Sequence, residues 1–294
     1  MAINEEQLIS WSKPVSSTED QKCQNAIIKV TEAIRAKFNS SVSIFLQGSY
    51  RNNTNVKKDS DVDIVVRHDG YYYYDLQRLS ESDKLQYEKT KSPGNYPFIQ
   101  LKSDVLQALT TAFNNDAKPR NKCIEVTGNS NRITADVIPC FQHKRYITLT
   151  AVEAEGIQFY TDQLEKIISF PNQHYENGVA KTNNTGRMYK RTVRILKVLR
   201  NMLIAEGKIT ENLVSSFFIE CLVYNVPNIS FMTGEYKQTL KNVISKIQTD
   251  METSSTAEKY VEVSGLKWLF GENPKRPPSN ASEFVNKCWR VAEF

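Results

Sequence analysis

The sequence contains no long hydrophobic run: none of its apolar stretches approaches the roughly 20 residues that a transmembrane helix needs. Its beginning, residues 1–14, has acidic residues early and lacks the continuous apolar segment of a secretory signal. These two absences argue against a membrane anchor formed by an apolar helix and against secretion. We therefore expect a cytoplasmic protein with no membrane partner.

Cysteine and histidine are also scarce, with five and three residues respectively. The cysteines are odd in number, widely scattered and never in a CxxC pair, which argues against a disulfide framework and against a zinc site. We expect them to be reduced, buried thiols. His143 and His174 are expected to be structural or surface residues rather than acid–base catalysts.

No large excess of one charge is present, because 38 basic and 33 acidic residues leave a net charge of +5. This surplus is too small to indicate, by itself, a phosphate-rich polymer as partner. Apolar residues make up 40% of the 294 residues. A chain of this length and composition can form a full core, and we expect two lobes that face a central cleft.

Helix and strand patterns begin early in the chain. Apolar residues at helical spacing predict a long helix over about residues 18–39, and Thr18 with Gln21 forms a plausible capping box at its start. Residues 42–47 and 61–67 are typical of strands. The pattern is thus a helix followed by strand, loop and strand.

The middle of the chain continues this alternation. Pro97 begins a further amphipathic helix, and two strands follow near residues 122–127 and 131–138. Asp59 precedes the apolar strand and is interpreted as a loop residue. For the four tyrosines at 71–74 we prefer an exposed loop or a partner contact, although base stacking is conceivable.

From about residue 160 the periodicity is mainly helical. The clearest helix covers residues 186–205 and carries its basic side chains opposite its apolar arc. A proline-containing loop with Pro274, Pro277 and Pro278 precedes the last helix. We therefore predict an α+β fold in two domains: a strand-containing N-terminal domain over residues 1–158 and a helical C-terminal domain over residues 159–294.

Two aspartates near the start of a predicted strand are the first candidate for chemistry. Alternate residues of a strand share a face, so Asp61 and Asp63 point the same way while Val62 and Ile64 point into the core. Two carboxylates at one point repel each other unless a cation neutralises them. Hard oxygen ligands suit Mg²⁺ or Mn²⁺. The pair therefore indicates a divalent metal site.

Two further features support that site. Gln47, Gly48 and Ser49 lie at the end of the preceding strand, where a glycine permits close backbone approach and a serine hydroxyl can hold phosphate oxygens. Asp136 alternates with apolar residues on a later strand, which would deliver a third carboxylate beside the pair. Two metal ions held by Asp61, Asp63 and Asp136 can activate an attacking hydroxyl and stabilise leaving pyrophosphate.

The combination matters more than its parts. A lone DxD on a strand is more often a solvated edge than a metal site. The Gly-Ser pair upstream and the third strand-borne aspartate reverse that expectation and favour a nucleotidyltransferase site.

The helix from residue 186 carries six basic residues and no acidic residue before Glu206. These cations are Arg187, Lys190, Arg191, Arg194, Lys197 and Arg200. They indicate a nearby anion, although a solvated face is an equally good interpretation for most of them individually. Ser215, Ser216 and Phe217 begin the next helix, where free backbone N–H groups and hydroxyls favour phosphate. Phe217 is equally interpretable as a core residue.

With these residues in place, the chain resembles the cGAS/DncV-like nucleotidyltransferases, the CD-NTases of bacterial anti-phage (CBASS) systems, within the polymerase-β-like superfamily. The resemblance rests on residues 47–50, on Asp61 and Asp63 twelve residues beyond Ser49, on Asp136, and on residues 170–178 and 216–220. It covers nearly the whole chain and looks most like the pyrimidine-using enzymes of clade E, which are called CdnE.

The resemblance implies a mixed-sheet core with a spine helix, a helical C-terminal lobe, and a cyclic dinucleotide or trinucleotide product that activates a downstream effector. It also implies Mg²⁺ or Mn²⁺, two ions per site, and NTP substrates among which UTP, ATP and GTP all stay open. Ser49, Ser216 and Lys197 would contact the triphosphate. Phe217 would stack on a base, and Gln158 is a weak candidate for reading one.

The resemblance also bears on activation by nucleic acid and on zinc binding. Animal relatives that sense DNA carry an inserted Cys/His zinc motif, and the sequence contains no such cluster. We therefore expect no direct activation by duplex nucleic acid and a monomeric bacterial cytoplasmic enzyme.

Two other functions are compatible with parts of the pattern. A synthase of linear oligonucleotides or an RNA-directed nucleotidyltransferase would use the same three carboxylates, and a long basic track would favour it. A non-catalytic nucleotide or nucleic-acid binder would not need the carboxylates. The leading hypothesis is a synthase that joins two NTPs through 3′–5′ linkages into a cyclic dinucleotide.

Overall fold

A computed structural model describes residues 3–57, 61–271 and 276–294. Contacts divide these residues into two compact units, which we call the sheet unit and the helical unit. The sheet unit consists of residues 16–50 and 61–171. The helical unit consists of residues 3–15, 51–57 and the described part of 172–294. Asp59 and Pro274 lie outside the described residues.

The sheet unit is built on one mixed sheet. Its strands are β1 (Val42–Gln47), β2 (Val62–Asp75), β3 (Ala117–Pro119), β4 (Ile124–Val126), β5 (Ala135–Tyr146), β6 (Val152–Tyr160) and β7 (Lys166–Ser169). The order is β1-β2-β5-β4-β3, and β6 pairs with β5 and with β7. Among the described strands β2 and β5 run parallel, and the other pairs are antiparallel. Strand β5 therefore lies beside the main functional strand β2.

Helices cover the sheet where its strands are most apolar. The helices of this unit are α2 (Ser17–Phe38), the single turn α3 (Gly48–Arg51), α4 (Glu81–Thr90) and α5 (Phe98–Phe113), and a 3-10 turn covers Asn114–Asp116. Helices α2 and α5 pack against each other, α2 against β2 and α5 against β5. Val62, Ile64, Val137 and Leu101 are fully buried in the resulting core.

Most predicted elements of this unit are confirmed, but two starts differ. Helix α2 begins earlier than predicted, and the capping box belongs to Ser16 and Glu19 rather than to Thr18 and Gln21. Ser16 has the extended backbone that an N-cap needs, whereas Thr18 is already helical. Pro97 is the N-cap of α5 and does not occupy its first turn.

The interpretation of the four tyrosines at 71–74 as a loop was wrong. They lie in β2, which continues to Asp75 and pairs with β5 beyond a register shift between His68 and Tyr72. The polar segment at 67–70 hid this continuation from the sequence pattern. Tyr72 is 44% exposed, while the Tyr74 ring packs 4.8 Å from the ring of Tyr87 on α4. The tyrosines thus form a strand on which α4 rests.

The helical unit is arranged around one central helix. Its helices are α1 (Glu5–Trp11), α6 (Pro171–Asn184), α7 (Met188–Ala205), α8 (Ser216–Asn225), α9 (Tyr236–Met251), α10 (Ser254–Ala257) and α11 (Pro278–Ala292), with a 3-10 turn at Asn228–Ser230. Helix α7 packs against α1, α8, α9 and α11. This central position buries polar as well as apolar side chains of α7.

The basic residues of α7 are less exposed than a solvated face would be. Arg194 is 5% and Lys197 1% exposed, and Lys190, Arg191 and Arg200 are half-buried. Of the six cations, only Arg187 is exposed. The sequence left a solvated face and a nearby anion equally open for these residues, and the surrounding helices exclude a solvated face for Arg194 and Lys197.

In the sequence, the boundary between the sheet unit and the following part of the helical unit lies later than the predicted domain boundary. The predicted division at 158/159 falls within β6, and the sheet unit continues to residue 171. All five cysteines are buried and free, as expected. Within the described ranges, no helix has the length and apolar character needed to span a membrane.

Candidate active site

The register of the sheet places polar residues of four strands in one row. Gln47 on β1 pairs with Asp63 on β2, Asp63 pairs with Asp136 on β5, and Asp136 pairs with Glu125 on β4. Residues paired in this way point to the same face of a sheet. The structure therefore brings Asp63 and Asp136 side by side, and Asp61 directly precedes β2.

Glu125 is the member of this row that the sequence pattern did not single out. Its strand has only three residues, so the alternation of one acidic residue between Ile124 and Val126 was the only available signal. Arg120 holds the Glu125 carboxylate with two hydrogen bonds, of 3.2 Å from Nε and 2.9 Å from Nη2. A third acidic group is thus present in the row but is already paired with a cation.

The surroundings of Asp136 act on the pKa of its carboxyl group in opposite directions, and the net effect is to raise it. Burial raises the pKa of this carboxyl group and the nearby Glu125 charge adds to the effect, while a hydrogen bond with Cys123 and the charge of Arg120 oppose it. The Cys123 side chain is buried, and burial raises the pKa of its thiol far above the ordinary range. Cys123 therefore acts as a neutral hydrogen-bond partner beside Asp136.

The predicted Gly48-Ser49 pair lies at the end of β1, in the single turn α3. Gly48 has φ = +70°, and a Cβ atom added there would lie 2.7 Å from Cγ of Asp63. The turn is tied to α2 because the Tyr50 hydroxyl donates to Asp20 at 2.6 Å and accepts from Gln24 at 2.7 Å. The missing side chain of Gly48 thus leaves the space that the Asp63 carboxylate fills.

The carboxylates meet the chemical requirements of a hard divalent cation. Asp61, Asp63 and Asp136 offer only oxygen donors, which Mg²⁺ and Mn²⁺ prefer. The contact between Gly48 and Asp63 keeps one of these donors close to the turn that carries Ser49. Within the described residues, no group of three or more His, Cys, Asp or Glu side chains is spaced as a ready metal site. The fit therefore rests on donor chemistry and strand register.

The helical unit holds the other predicted nucleotide-binding residues. Lys197 is buried on α7, and Ser216 is the first residue of α8. Ser215 is the N-cap of α8, and its hydroxyl accepts a hydrogen bond of 3.2 Å from the Phe218 amide. The Phe217 ring is half-buried, 5.7 Å from the ring of His174 and 4.9 Å from the guanidinium carbon of Arg276. The Phe217 ring is therefore partly open while it packs against the core of the helical unit.

Gln158, the weak candidate for reading a base, is buried on β6. Its Oε1 lies 3.0 Å from Nδ1 of His143, and its Nε2 donates to the Tyr160 hydroxyl at 2.8 Å. His143 is itself 1% exposed. Both ends of the Gln158 amide thus have partners in the protein, and both His143 and His174 are buried rather than on the surface.

Sequence comparison supports the family suggested by these residues. The model of the cGAS/DncV-like nucleotidyltransferase C-terminal helical domain matches residues 176–293, and the model of the nucleotidyltransferase domain matches residues 27–118. The chain is 59% identical, over all of both sequences, to a cyclic dipurine nucleotide synthase of Elizabethkingia meningoseptica. The chain belongs to the cGAS/DncV-like nucleotidyltransferases.

Two further comparisons, one with a sequence and one with a solved structure, agree with this family. It is 35% identical to a cyclic dipyrimidine nucleotide synthase of Cecembia lonarensis over 99% of this chain and 98% of that one. It also matches the solved structure of the Elizabethkingia meningoseptica CdnE cyclic dinucleotide synthase with GTP and Apcpp, with a TM-score of 0.85 and 55% identity over 99% and 100% of the two chains. The expected fold, a polymerase-β-like nucleotidyltransferase domain followed by a helical domain, is confirmed. The CD-NTase is thus an enzyme of the nucleotidyltransferase class.

Proposed function

We propose that this CD-NTase joins two purine NTPs into a cyclic dinucleotide. Each 3′-hydroxyl attacks the α-phosphate of the other nucleotide, so two P–O bonds form, two pyrophosphates leave and two hydroxyl protons are released for each ring. The observation that carries the proposal is the 59% identity, over the full length, to a cyclic dipurine nucleotide synthase. Identity to a dipyrimidine synthase is 35%. This difference favours purines over the pyrimidines that the sequence resemblance had suggested.

The proposed chemistry at phosphorus uses the row of carboxylates. Asp61, Asp63 and Asp136 would hold two divalent cations, Mg²⁺ or Mn²⁺, whose charge would favour ionisation of the attacking hydroxyl and stabilise the leaving pyrophosphate. The register that pairs Asp63 with Asp136 supports this role because it fixes two donors on rigid, hydrogen-bonded strands. Gly48 keeps the space around Asp63 clear, and the hydrogen bond with Cys123 orients Asp136.

Nucleotide binding is assigned to two sets of residues. In the sheet unit, Gln47, Gly48 and Ser49 would contact phosphate. In the helical unit, the ammonium group of Lys197 and the hydroxyls of Ser215 and Ser216 would bind triphosphate oxygens, and Phe217 would stack on a base. The half-buried state of the Phe217 ring supports stacking, because one part of it is free of protein cover. Gln158 is less suited to read a base because its amide is already engaged.

The biological role and the location of the enzyme are inferred from its family. We propose that the product is a second messenger that activates a downstream effector in anti-phage signalling, and that the enzyme works in the bacterial cytoplasm as a monomer. Synthesis of linear products or transfer to RNA would use the same carboxylates. Product analysis separates these activities.

The test is a product assay with the purified protein. All four NTPs are supplied singly and in pairs with Mg²⁺ or Mn²⁺, the reaction is treated with phosphatase, and resistant products are identified by mass spectrometry. We expect cyclic dinucleotides from ATP and GTP and much less product from UTP and CTP. Exclusively linear products would disprove cyclisation, and preferred use of UTP or CTP would disprove the proposed base choice.

A further inference from the structure

A buried carboxylate in the helical unit has a role that the chemistry above does not use. Glu220 on α8 is 3% exposed, and both of its oxygens have partners. Oε1 lies 3.0 Å from Nε2 of His174, and Oε2 accepts a hydrogen bond of 3.1 Å from the Thr54 hydroxyl. An uncompensated charge in such a position is strongly destabilising, so the partners have to stay in place.

The charge on Glu220 is maintained by its surroundings. Burial acts to raise the pKa of this carboxyl group, but the hydrogen bond with His174 and the charges of His174 and Lys197 together hold it below the ordinary value. Glu220 is therefore an anion, and it interacts electrostatically with the buried ammonium group of Lys197. One carboxylate thus has hydrogen-bond partners in His174 and Thr54 and a charge partner in Lys197.

The partners of Glu220 lead to the proposed base-stacking residue. His174 lies on α6, and its ring is 5.7 Å from the Phe217 ring at an angle of 39°. Phe217 also precedes Glu220 by three residues on α8, a spacing that puts both side chains on one side of the helix. The His174 ring, which is hydrogen-bonded to Glu220, therefore packs beside the Phe217 ring from a neighbouring helix.

The third partner, Thr54, lies in the segment that connects Ser49 to Asp61 along the chain. This segment, residues 51–57, belongs to the helical unit. Besides the hydrogen bond from Thr54 to Glu220, it is held by Arg51, which donates to Asn172 at 2.9 Å. It is also held at the carbonyl oxygen of Asn53, which accepts a hydrogen bond from the buried guanidinium group of Arg194. Residues 51–57, which lie between Ser49 and Asp61 in the sequence, are thus held by the buried charged side chains of Glu220 and Arg194.

We propose that Glu220 is a positioning residue for nucleotide binding, whose carboxylate fixes the His174 ring beside Phe217 and anchors Thr54 in the segment between Ser49 and Asp61. The inference rests on the proposed function, because it takes Phe217 and Lys197 as nucleotide contacts. A buried ion cluster adds little to the stability of a protein, since apolar side chains of similar volume often stabilise the same core equally well. Its use here is to hold geometry.

The test compares two variants with matched chemistry. Glu220→Gln preserves the shape but replaces one acceptor oxygen by an NH2 donor, so the hydrogen bond on that side is lost or has to reverse its direction. The substitution also removes the negative charge beside Lys197, and with it the charged acceptor of His174 and Thr54. Asp250→Asn is the control, because Asp250 is another buried carboxylate of the helical unit, hydrogen-bonded to Tyr260 at 2.9 Å and to Lys246 at 2.6 Å. Affinity for a non-hydrolysable purine NTP is measured by calorimetry, together with KM, kcat and thermal unfolding.

We expect Glu220→Gln to weaken binding and raise KM about tenfold, with kcat reduced less than about threefold, because a lost hydrogen bond to a charged group has roughly this effect. Asp250→Asn should lower the unfolding temperature without changing affinity. Thr54→Val, which removes a single donor, should weaken binding about threefold and decides the question if Glu220→Gln does not fold.

Two results would overturn the inference. If Glu220→Gln and Asp250→Asn lower the unfolding temperature alike and neither changes affinity, Glu220 serves stability alone. If the unmodified protein neither binds purine NTPs nor forms product, the proposed function fails as well. These outcomes are distinguishable because the second is seen without any substitution.

Discussion

The carboxylate of Asp63 lies against the Cα atom of Gly48, where the first side-chain atom of any other residue would be. A Cβ atom at position 48 would lie 2.7 Å from Cγ of Asp63 and closer still to Oδ2. Gly48 also has φ = +70°, a conformation that other L-residues adopt at a cost. Position 48 is therefore restricted to glycine by its backbone and by its neighbour.

This relationship predicts the effect of Gly48→Ala. The new methyl group displaces the Asp63 carboxylate, and a displacement of about 1 Å at a catalytic group lowers turnover about 100-fold. The backbone strain adds about 1 kcal/mol of destabilisation. Product formation per unit time and urea unfolding measure the two effects separately.

Gly207→Ala is the matched control for that experiment. Gly207 has φ = +66° and no atom within 4 Å of an added Cβ, so the substitution imposes backbone strain without a collision. We expect about 1 kcal/mol of destabilisation and unchanged turnover. Equal loss of activity in both variants would show that strain, rather than contact with Asp63, explains the glycine.

Cys123 is predicted to orient Asp136 through its hydrogen bond. Cys123→Ser keeps a donor and should retain activity, whereas Cys123→Ala removes it and should lower kcat/KM about tenfold, as is common for residues that orient metal ligands. Cys140→Ala is the control, because Cys140 is fully buried on the same strand as Asp136. A similar loss in both alanine variants would assign the effect to packing.

The buried position of Arg194 predicts a structural role for this cation of α7. Its Nε donates to the carbonyl oxygen of Ser12 at 2.6 Å and its Nη1 to that of Asn53, and burial lowers its pKa to about 10. Arg194→Met should reduce the free energy of unfolding by about 2–3 kcal/mol, because two carbonyl groups lose their donor. Arg191→Met, which removes a ring contact with Tyr236 and a long hydrogen bond to the Met188 sulfur, should cost less than about 1 kcal/mol. Equal, small losses in urea unfolding would contradict the assignment.

The lowered pKa of Glu220 predicts how stability depends on pH. A carboxyl group with a lower pKa in the folded state stabilises the protein above its unfolded pKa, about 4.3, and this contribution is lost as the pH falls through the folded value. The unfolding free energy of the unmodified protein should therefore fall more steeply below about pH 4.3 than that of Glu220→Gln. Parallel urea unfolding curves at several pH values measure the difference, and identical slopes would refute it.

Local patterns were enough to predict the elements that carry the carboxylates. Alternation of Asp61 and Asp63 with apolar residues indicated one strand, and the apolar neighbours of Asp136 indicated another. The partner strands of β5 are decided by contacts between distant residues, so the pairing of Asp136 with Glu125 had no local signal. In the same way, sequence spacing did not indicate that residues 51–57 belong to the helical unit.

Burial was the property that periodicity predicted least well. A solvated face was one of two interpretations left open for the basic arc of α7, but Lys197 and Arg194 are buried because neighbouring helices cover several sides of α7. The strand at 71–74 was hidden by the polar residues that precede it. Both differences arise where tertiary packing overrides the local pattern.

We propose that the synthesis of a cyclic dinucleotide needs both Asp61 and Asp63. The direct measurement is mass spectrometry of phosphatase-resistant products made from ATP and GTP by the unmodified protein and by Asp61→Ala/Asp63→Ala, with equal thermal unfolding as proof of an intact fold. Asp69→Ala, on the same strand but paired with Arg67 at 2.8 Å, is the control. We expect cyclic product from the unmodified protein and from Asp69→Ala, and none from the double variant. Cyclic product from a folded double variant would contradict the proposal.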